Sequence, residues 1–271
     1  MDNRPIGVFD SGLGGLTAVR ELRRMLPSEN IIYFGDTSRV PYGTRSRETI
    51  LKYARQDIRF LRSFDLKAIV IACGTVSTTS LPALSAESDI PMLGVVEPAC
   101  RRALQVTKNR RVGLIATAAS VRSGAYEKTL RELESTVQVV SRACPLFVPL
   151  VENGRFRPGD VVIETVAWEY LSSLRETGID TLILGCTHYP LLTEVIGDIM
   201  GPEVTLINSG GESAWELKRT LRVLDALADP ERAGEVRFYV SDRVEDFEKT
   251  AGIFLQEDLK GSVGQINIEA Y

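Results

Sequence analysis

The sequence has little of the material that marks a secreted, membrane-bound or metal-dependent protein. Histidine occurs once in 271 residues, at His188, and there are four cysteines, no two of them spaced as CxxC. Such cysteines make neither a disulfide framework nor a standard zinc site, so a reduced cytoplasmic protein that uses no metal is expected. No apolar run approaches the ~18 residues of a membrane span. The longest, such as Ala68 to Cys73, have about six. Asp2 follows Met1, and no apolar signal core precedes Ile6, so no secretory signal is expected. Positive charge is also short. Lys plus Arg number 32 against 36 for Asp plus Glu, a net charge of −4 that argues against a nucleic-acid or anionic-membrane partner. Gly at 22 and Pro at 12 are too few for a collagen-like or low-complexity chain, and 44% hydrophobic with 25% charged residues excludes wholesale disorder.

What is present is alternation. Apolar strands are expected at Ile6–Phe9, Ile31–Phe34, Ala68–Ala72, Pro91–Val95, Val112–Ala116, Val137–Val140, Thr181–Leu184, Val204–Ile207 and Val236–Val240. Between them lie helical stretches at about 16–25, 46–64, 120–133, 161–176, 211–227 and 244–255, with further helices starting at Pro98 and Pro190. Strands alternating with helices predict an α/β protein whose parallel sheets are covered on both faces. The tail 262–271 reads as a short extra strand or a frayed end.

A repeat underlies the alternation. Ile6 to Ser11 resembles Val112 to Thr117 at an offset of 106, Ala68 to Cys73 resembles Thr181 to Cys186 at 113, and Leu93 to Val95 resembles Leu206 to Asn208 at 113. Three matches in order favour two similar α/β domains over one large sheet.

Cys73 and Cys186 end matching strands of that repeat. Ligands of open α/β sheets bind beyond the carboxyl ends of strands, where the following helix presents free backbone N–H groups to a carboxylate. A cleft between two such domains would carry a thiol on each wall. Racemising a carbon acid needs a base on one face and an acid on the other, and two thiols with a free pKa of ~8.5 suit both roles. His188 lies two residues after Cys186 at a strand-to-helix turn. Asp10 ends the first strand before Ser11-Gly12-Leu13-Gly14-Gly15. Thr17 stands where GxGxxG needs its last Gly, so the loop reads as a cradle for a small anion rather than for a dinucleotide. Cys100 and Cys144 read as packing residues. A thiol hydrolase using one Cys with His188 is the competing arrangement, and it leaves the second aligned Cys idle.

These residues resemble a known family. Asp10-Ser11-Gly12-Leu13-Gly14-Gly15, Asp36-Thr37-Ser38-Arg39-Val40-Pro41-Tyr42-Gly43, Ala72-Cys73-x-Thr75, Pro149-Leu150-Val151-Glu152 and Gly185-Cys186-Thr187-His188-Tyr189-Pro190-Leu191-Leu192 are similar in kind and order to glutamate racemase, from about Ile6 to Ser209. The resemblance implies a cofactor-independent racemase making D-glutamate for peptidoglycan. It implies two α/β domains related by approximate twofold symmetry, with the active site between them. The first would comprise residues 1–95 and 210–271, the second 96–209. Cys73 would take the α-proton of D-glutamate, assisted by Asp10, and Cys186 that of L-glutamate, assisted by His188. Ser11, Tyr42, Gly43, Gly74, Thr75 and Thr187 would bind substrate, with Asp36 and Glu152 as supporting acids.

Gly74 stands where the family has Asn, and Val76 where it has a small residue. The resemblance therefore implies one substrate-binding amide fewer, with room for a water or a neighbouring side chain to replace it. In the resembled family, members activated by a peptidoglycan precursor tend to carry an N-terminal extension, so with few residues before Ile6 the resemblance implies no such activator. A homodimer is an open expectation. The alternatives are an aspartate racemase of the same superfamily, whose members tend to carry Glu in place of His188, and a homologue with an added topoisomerase-inhibiting role.

Overall fold

The structure is a computed structural model that describes residues 1–257, 259 and 263–271. In chain order the elements are β1 (Ile6–Asp10), α1 (Leu16–Met25), β2 (Ile31–Gly35), α2 (Arg47–Leu61), β3 (Ala68–Ile71), α3 (Gly74–Thr79), α4 (Leu81–Ala86), β4 (Met92–Leu93), α5 (Val96–Val106) and β5 (Arg111–Ala116). They continue with α6 (Ala118–Ser123), α7 (Ala125–Leu133), β6 (Gln138–Ala143), α8 (Phe147–Glu152), α9 (Val161–Arg175), β7 (Thr181–Leu184), α10 (Thr193–Met200), β8 (Thr205–Asn208), α11 (Ser209–Val223), β9 (Val236–Val240), α12 (Val244–Leu255) and β10 (Val263–Gln265). No helix among the described residues is long and apolar enough to cross a membrane.

The strands form two parallel sheets, ordered β10-β9-β2-β1-β3-β4 and β6-β5-β7-β8. Every residue of β1, β2, β3 and β7 is buried, as the continuous apolar runs require of strands covered on both faces. β6 lies at an edge and alternates exposed with half-buried residues instead.

The order β2-β1-β3-β4 repeats as β6-β5-β7-β8, and the register repeats with it. Ile6 pairs Ala68 as Val112 pairs Thr181. One match from the sequence slips by a residue. Val70 pairs Leu93, and its counterpart Ile183 pairs Ile207, so Leu93 corresponds to Ile207 and not to Leu206. Short apolar strands carry too little pattern to fix a one-residue register.

Other departures have local causes. The expected helix at 120–133 is broken at Gly124, whose φ of 65° ends α6 and starts α7. The sixth strand begins at Gln138 rather than Val137 and runs three residues past Val140, to Ala143. Pro190 opens a 3₁₀ turn, Tyr189–Leu192, ahead of α10. α8 goes unseen in the sequence because Pro149 looks like a breaker. It falls in the first turn, where its missing N–H is not needed. In the tail, β10 occupies 263–265, while Ser262 lies outside the described residues.

Candidate active site

The carboxyl ends of β1, β3, β5 and β7 converge on one cavity of about 300 Å³. Ser11, Tyr42, Gly43, Gly74 and Thr75 line it together with Glu152, Thr187, His188 and both strand-end thiols, Cys73 and Cys186. A larger, more open groove of about 840 Å³ runs between Arg45 and Lys128 but contains neither thiol, so the smaller cavity is the candidate site.

Cys73 caps the N-terminus of α3. The thiol is buried, and the Ser11 hydroxyl lies 3.2 Å from its sulfur. Burial, then the charge of Asp10, push it up to about 12, against the pull of the Ser11 hydrogen bond. Cys73 is therefore a thiol at neutral pH. Asp10 does not line the cavity. It is buried, with one oxygen accepting the Gly12 N–H at 3.0 Å and the other, Oδ1, without a hydrogen-bond partner among the described residues. Burial lifts its carboxyl above the ordinary range, and the His188 charge offsets part of that.

On the opposite wall, His188 Nδ1 lies 3.8 Å from Cys186 Sγ and Nε2 lies 2.9 Å from Glu152 Oε1. Burial alone would depress the imidazole, but Cys186 and Glu152 together hold it up at about 10. An imidazolium thus stands between a thiol sulfur and a carboxylate, and α8 exists locally to deliver that carboxylate. Phe254 meets the histidine ring edge-on at 5.3 Å.

The two walls touch. Thr75 Oγ1 lies 3.0 Å from Thr117 Oγ1. Thr17, the residue that spoils the dinucleotide motif, donates to the Thr187 carbonyl at 2.9 Å. A Cβ on Gly74 would stand 2.4 Å from the Gly185 carbonyl oxygen, and one on Gly14 2.5 Å from His188 Nδ1. The space expected beside Gly74 for a water or side chain is therefore occupied by backbone from the other wall. Asp36 does not reach the cavity. It lies beneath Tyr42, whose hydroxyl donates to it, so the phenol oxygen of this lining residue is held by a buried carboxylate.

Sequence reasoning missed three residues of note. Thr117 lines the cavity and was findable, since the offset of 106 makes it the counterpart of Ser11. Cys144, read as packing, also lines the cavity, though burial pushes its thiol up to about 12. Asp57 meets the Tyr42 hydroxyl at 3.0 Å and carries no local signal. Cys100 is packing, its sulfur buried 3.8 Å from the Tyr126 carbonyl.

The chain is similar to known proteins over its whole length. A family model described as Asp/Glu/hydantoin racemase matches residues 10–217. The chain is 46% identical over 267 residues to the glutamate racemase of Geobacter metallireducens, covering 98% of each. It superposes on the crystal structure of a glutamate racemase isoform from Bacillus anthracis with a TM-score of 0.93 at 40% identity, again over 98% of each chain. The glutamate racemase of Francisella tularensis, crystallised with D-glutamate, matches over 100% of both chains with a TM-score of 0.91 at 39% identity. Two thiols on one cavity of a duplicated α/β fold, and these likenesses over the full length, lead to one conclusion: the chain belongs to the Asp/Glu/hydantoin racemase family.

Proposed function

We propose that the protein interconverts L- and D-glutamate by a two-base thiol mechanism and supplies D-glutamate for peptidoglycan in the cytoplasm. The observation that carries the mechanism is the placement of Cys73 and Cys186 at equivalent ends of β3 and β7, on one cavity. The substrate assignment rests on the relatives, which are glutamate racemases over their full length.

In the L-to-D direction Cys186, as the thiolate facing the His188 imidazolium, removes the α-proton and becomes the thiol. The electron pair stays on the substrate as the carbanion. Cys73 then delivers its own proton to the opposite face. The enzyme ends with the roles of the two thiols exchanged, and the reverse direction restores them. Asp10 assists Cys73, and His188, held by Glu152, assists Cys186. Ser11, Thr75, Thr187 and the backbone of Tyr42, Gly43 and Gly74 hold the substrate. Residues 1–95 with 210–271 and residues 96–209 are the two domains that form the walls.

A polarimetric assay with L- and D-glutamate and no added cofactor tests the activity, with L-aspartate as comparison. Faster turnover of aspartate than glutamate would reject the substrate. Cys73→Ala and Cys186→Ala should each abolish both directions. Retention of more than about a tenth of wild-type turnover in either, about 1.4 kcal/mol of barrier, would reject the two-base scheme.

A further inference from the structure

Residues 40–44 line the cavity, yet the one large polar side chain among them turns its hydroxyl away from it. The Tyr42 ring packs on Tyr53 at 5.6 Å, and its oxygen ends among buried carboxylates. Asp36 and Asp57 are both wholly buried. The Tyr42 oxygen faces Asp36 Oδ2 and, at 3.0 Å, Asp57 Oδ2. A phenol has one proton to give, so only one of these contacts can be satisfied by the hydroxyl. The other needs a proton from a carboxyl group.

Asp36 is the better supplied of the two. It accepts from Arg39 Nε at 2.7 Å, Ser241 Oγ at 2.7 Å and Ser38 Oγ at 3.4 Å, besides Tyr42. Among the described residues Asp57 has only Arg39 Nη2 at 2.7 Å and the Tyr42 oxygen. Charge gives the same answer. Two carboxylates against one guanidinium would bury a net negative charge, whereas one proton on the pair leaves it neutral. Glu269, 3.4 Å from Arg39, is exposed and hydrated.

We propose that Asp57 holds a proton that it donates to the Tyr42 oxygen, and that Asp57 and Arg39 are positioning residues fixing the 40–44 wall of the cavity. The inference rests on the glutamate racemase reading above. The order of donation is Asp57 to Tyr42 to Asp36, with Arg39 bridging both acids and covering the Tyr53 ring at 4.3 Å. Burial, and then the charge of Asp36, push the Asp57 carboxyl well above the ordinary carboxylate range, in the same direction. The chain of contacts converts a rigid phenol into a fixed backbone turn where the substrate binds.

The test begins with wild-type racemisation of glutamate, whose absence would reject the underlying reading rather than this one. Asp57→Asn supplies amide protons where a protonated carboxyl supplies one, so its KM and kcat should stay within about twofold of wild type. Asp57→Ala removes the donor and should raise the glutamate KM about tenfold, the scale of one lost hydrogen bond, while kcat changes less than about threefold. The infrared C=O band of a protonated carboxyl should appear in wild type and vanish in Asp57→Asn. In an active wild type, three results would each overturn the proposal: an unchanged KM in Asp57→Ala, an Asp57→Asn as damaged as Asp57→Ala, or no infrared band lost in Asp57→Asn. Should Asp57→Ala fail to fold, the Asn variant and the band still decide.

Discussion

Gly74→Ala measures how closely the two walls of the site must meet. The added Cβ would stand 2.4 Å from the Gly185 carbonyl oxygen, where ordinary contact begins at 3.4 Å. The obstacle is backbone, so no side chain can swing aside. The loops after β3 and β7 must part, moving the thiol-bearing loops by about 1 Å. A misplacement of that size costs on the order of 100-fold in rate, or about 2.7 kcal/mol of barrier. We therefore expect kcat/KM to fall on the order of 100-fold, equally in both directions because the equilibrium is fixed. Stability should fall as well. The backbone dihedrals at Gly74 suit alanine, but overpacking against a backbone atom costs about 1–3 kcal/mol, more than the loss of chain entropy returns. The assay is polarimetric turnover of both enantiomers beside thermal denaturation. Wild-type kcat/KM in Gly74→Ala would refute the reasoning, since the walls could then separate without penalty. Gly74→Asn, with the side chain found in the resembled family, should raise the glutamate KM for the same reason, and a large drop would refute it.

Two further predictions follow from the thiols and their partners. His188 is held up at about 10 in the folded protein against an ordinary 6.5, so its contribution to stability is complete below about 6.5 and is lost as pH rises through about 10. His188→Asn should thus destabilise the protein more at about pH 6 than at about pH 10.5 in chemical denaturation, and a gap that grows with pH would contradict the pairing. In D2O, early product should carry deuterium at Cα while remaining substrate does not, because each thiol serves one face. Early deuterium in recovered substrate, read by proton NMR, would point to a single swinging base.

Much of this site is legible in the chain because duplication writes it twice. Cys73 and Cys186 stand out as matched strand ends, and the same offset logic carries Ser11 to Thr117. The alternation of apolar runs gives β1, β3 and β7 nearly to the residue because strands buried on both faces have no choice of composition. The network of Arg39, Tyr42 and Asp57 is not legible. Asp57 lies on the buried face of α2, and nothing in its neighbours distinguishes it from the acids of an exposed helix. Its partners arrive only through the fold. The room attributed to Gly74 was misjudged for a related reason. A missing side chain reads as space until the backbone that fills it is located.

The first sheet is completed by strands from both ends of the sequence. β9 pairs with β2, and Ile31 meets Val236 across a gap of 205 positions, the same gap that separates Asp36 from Ser241. During synthesis, β2 therefore emerges with one edge open and keeps it open while the whole second sheet is made. An exposed apolar edge is a template for wrong pairing, and closing so long a loop is slow. The β6-β5-β7-β8 sheet is contiguous in sequence and can form while β2 waits. Once β8 has left the ribosome and until β9 follows it, the nascent chain thus presents one sheet able to finish and one adhesive edge, the state in which chaperone demand should be greatest.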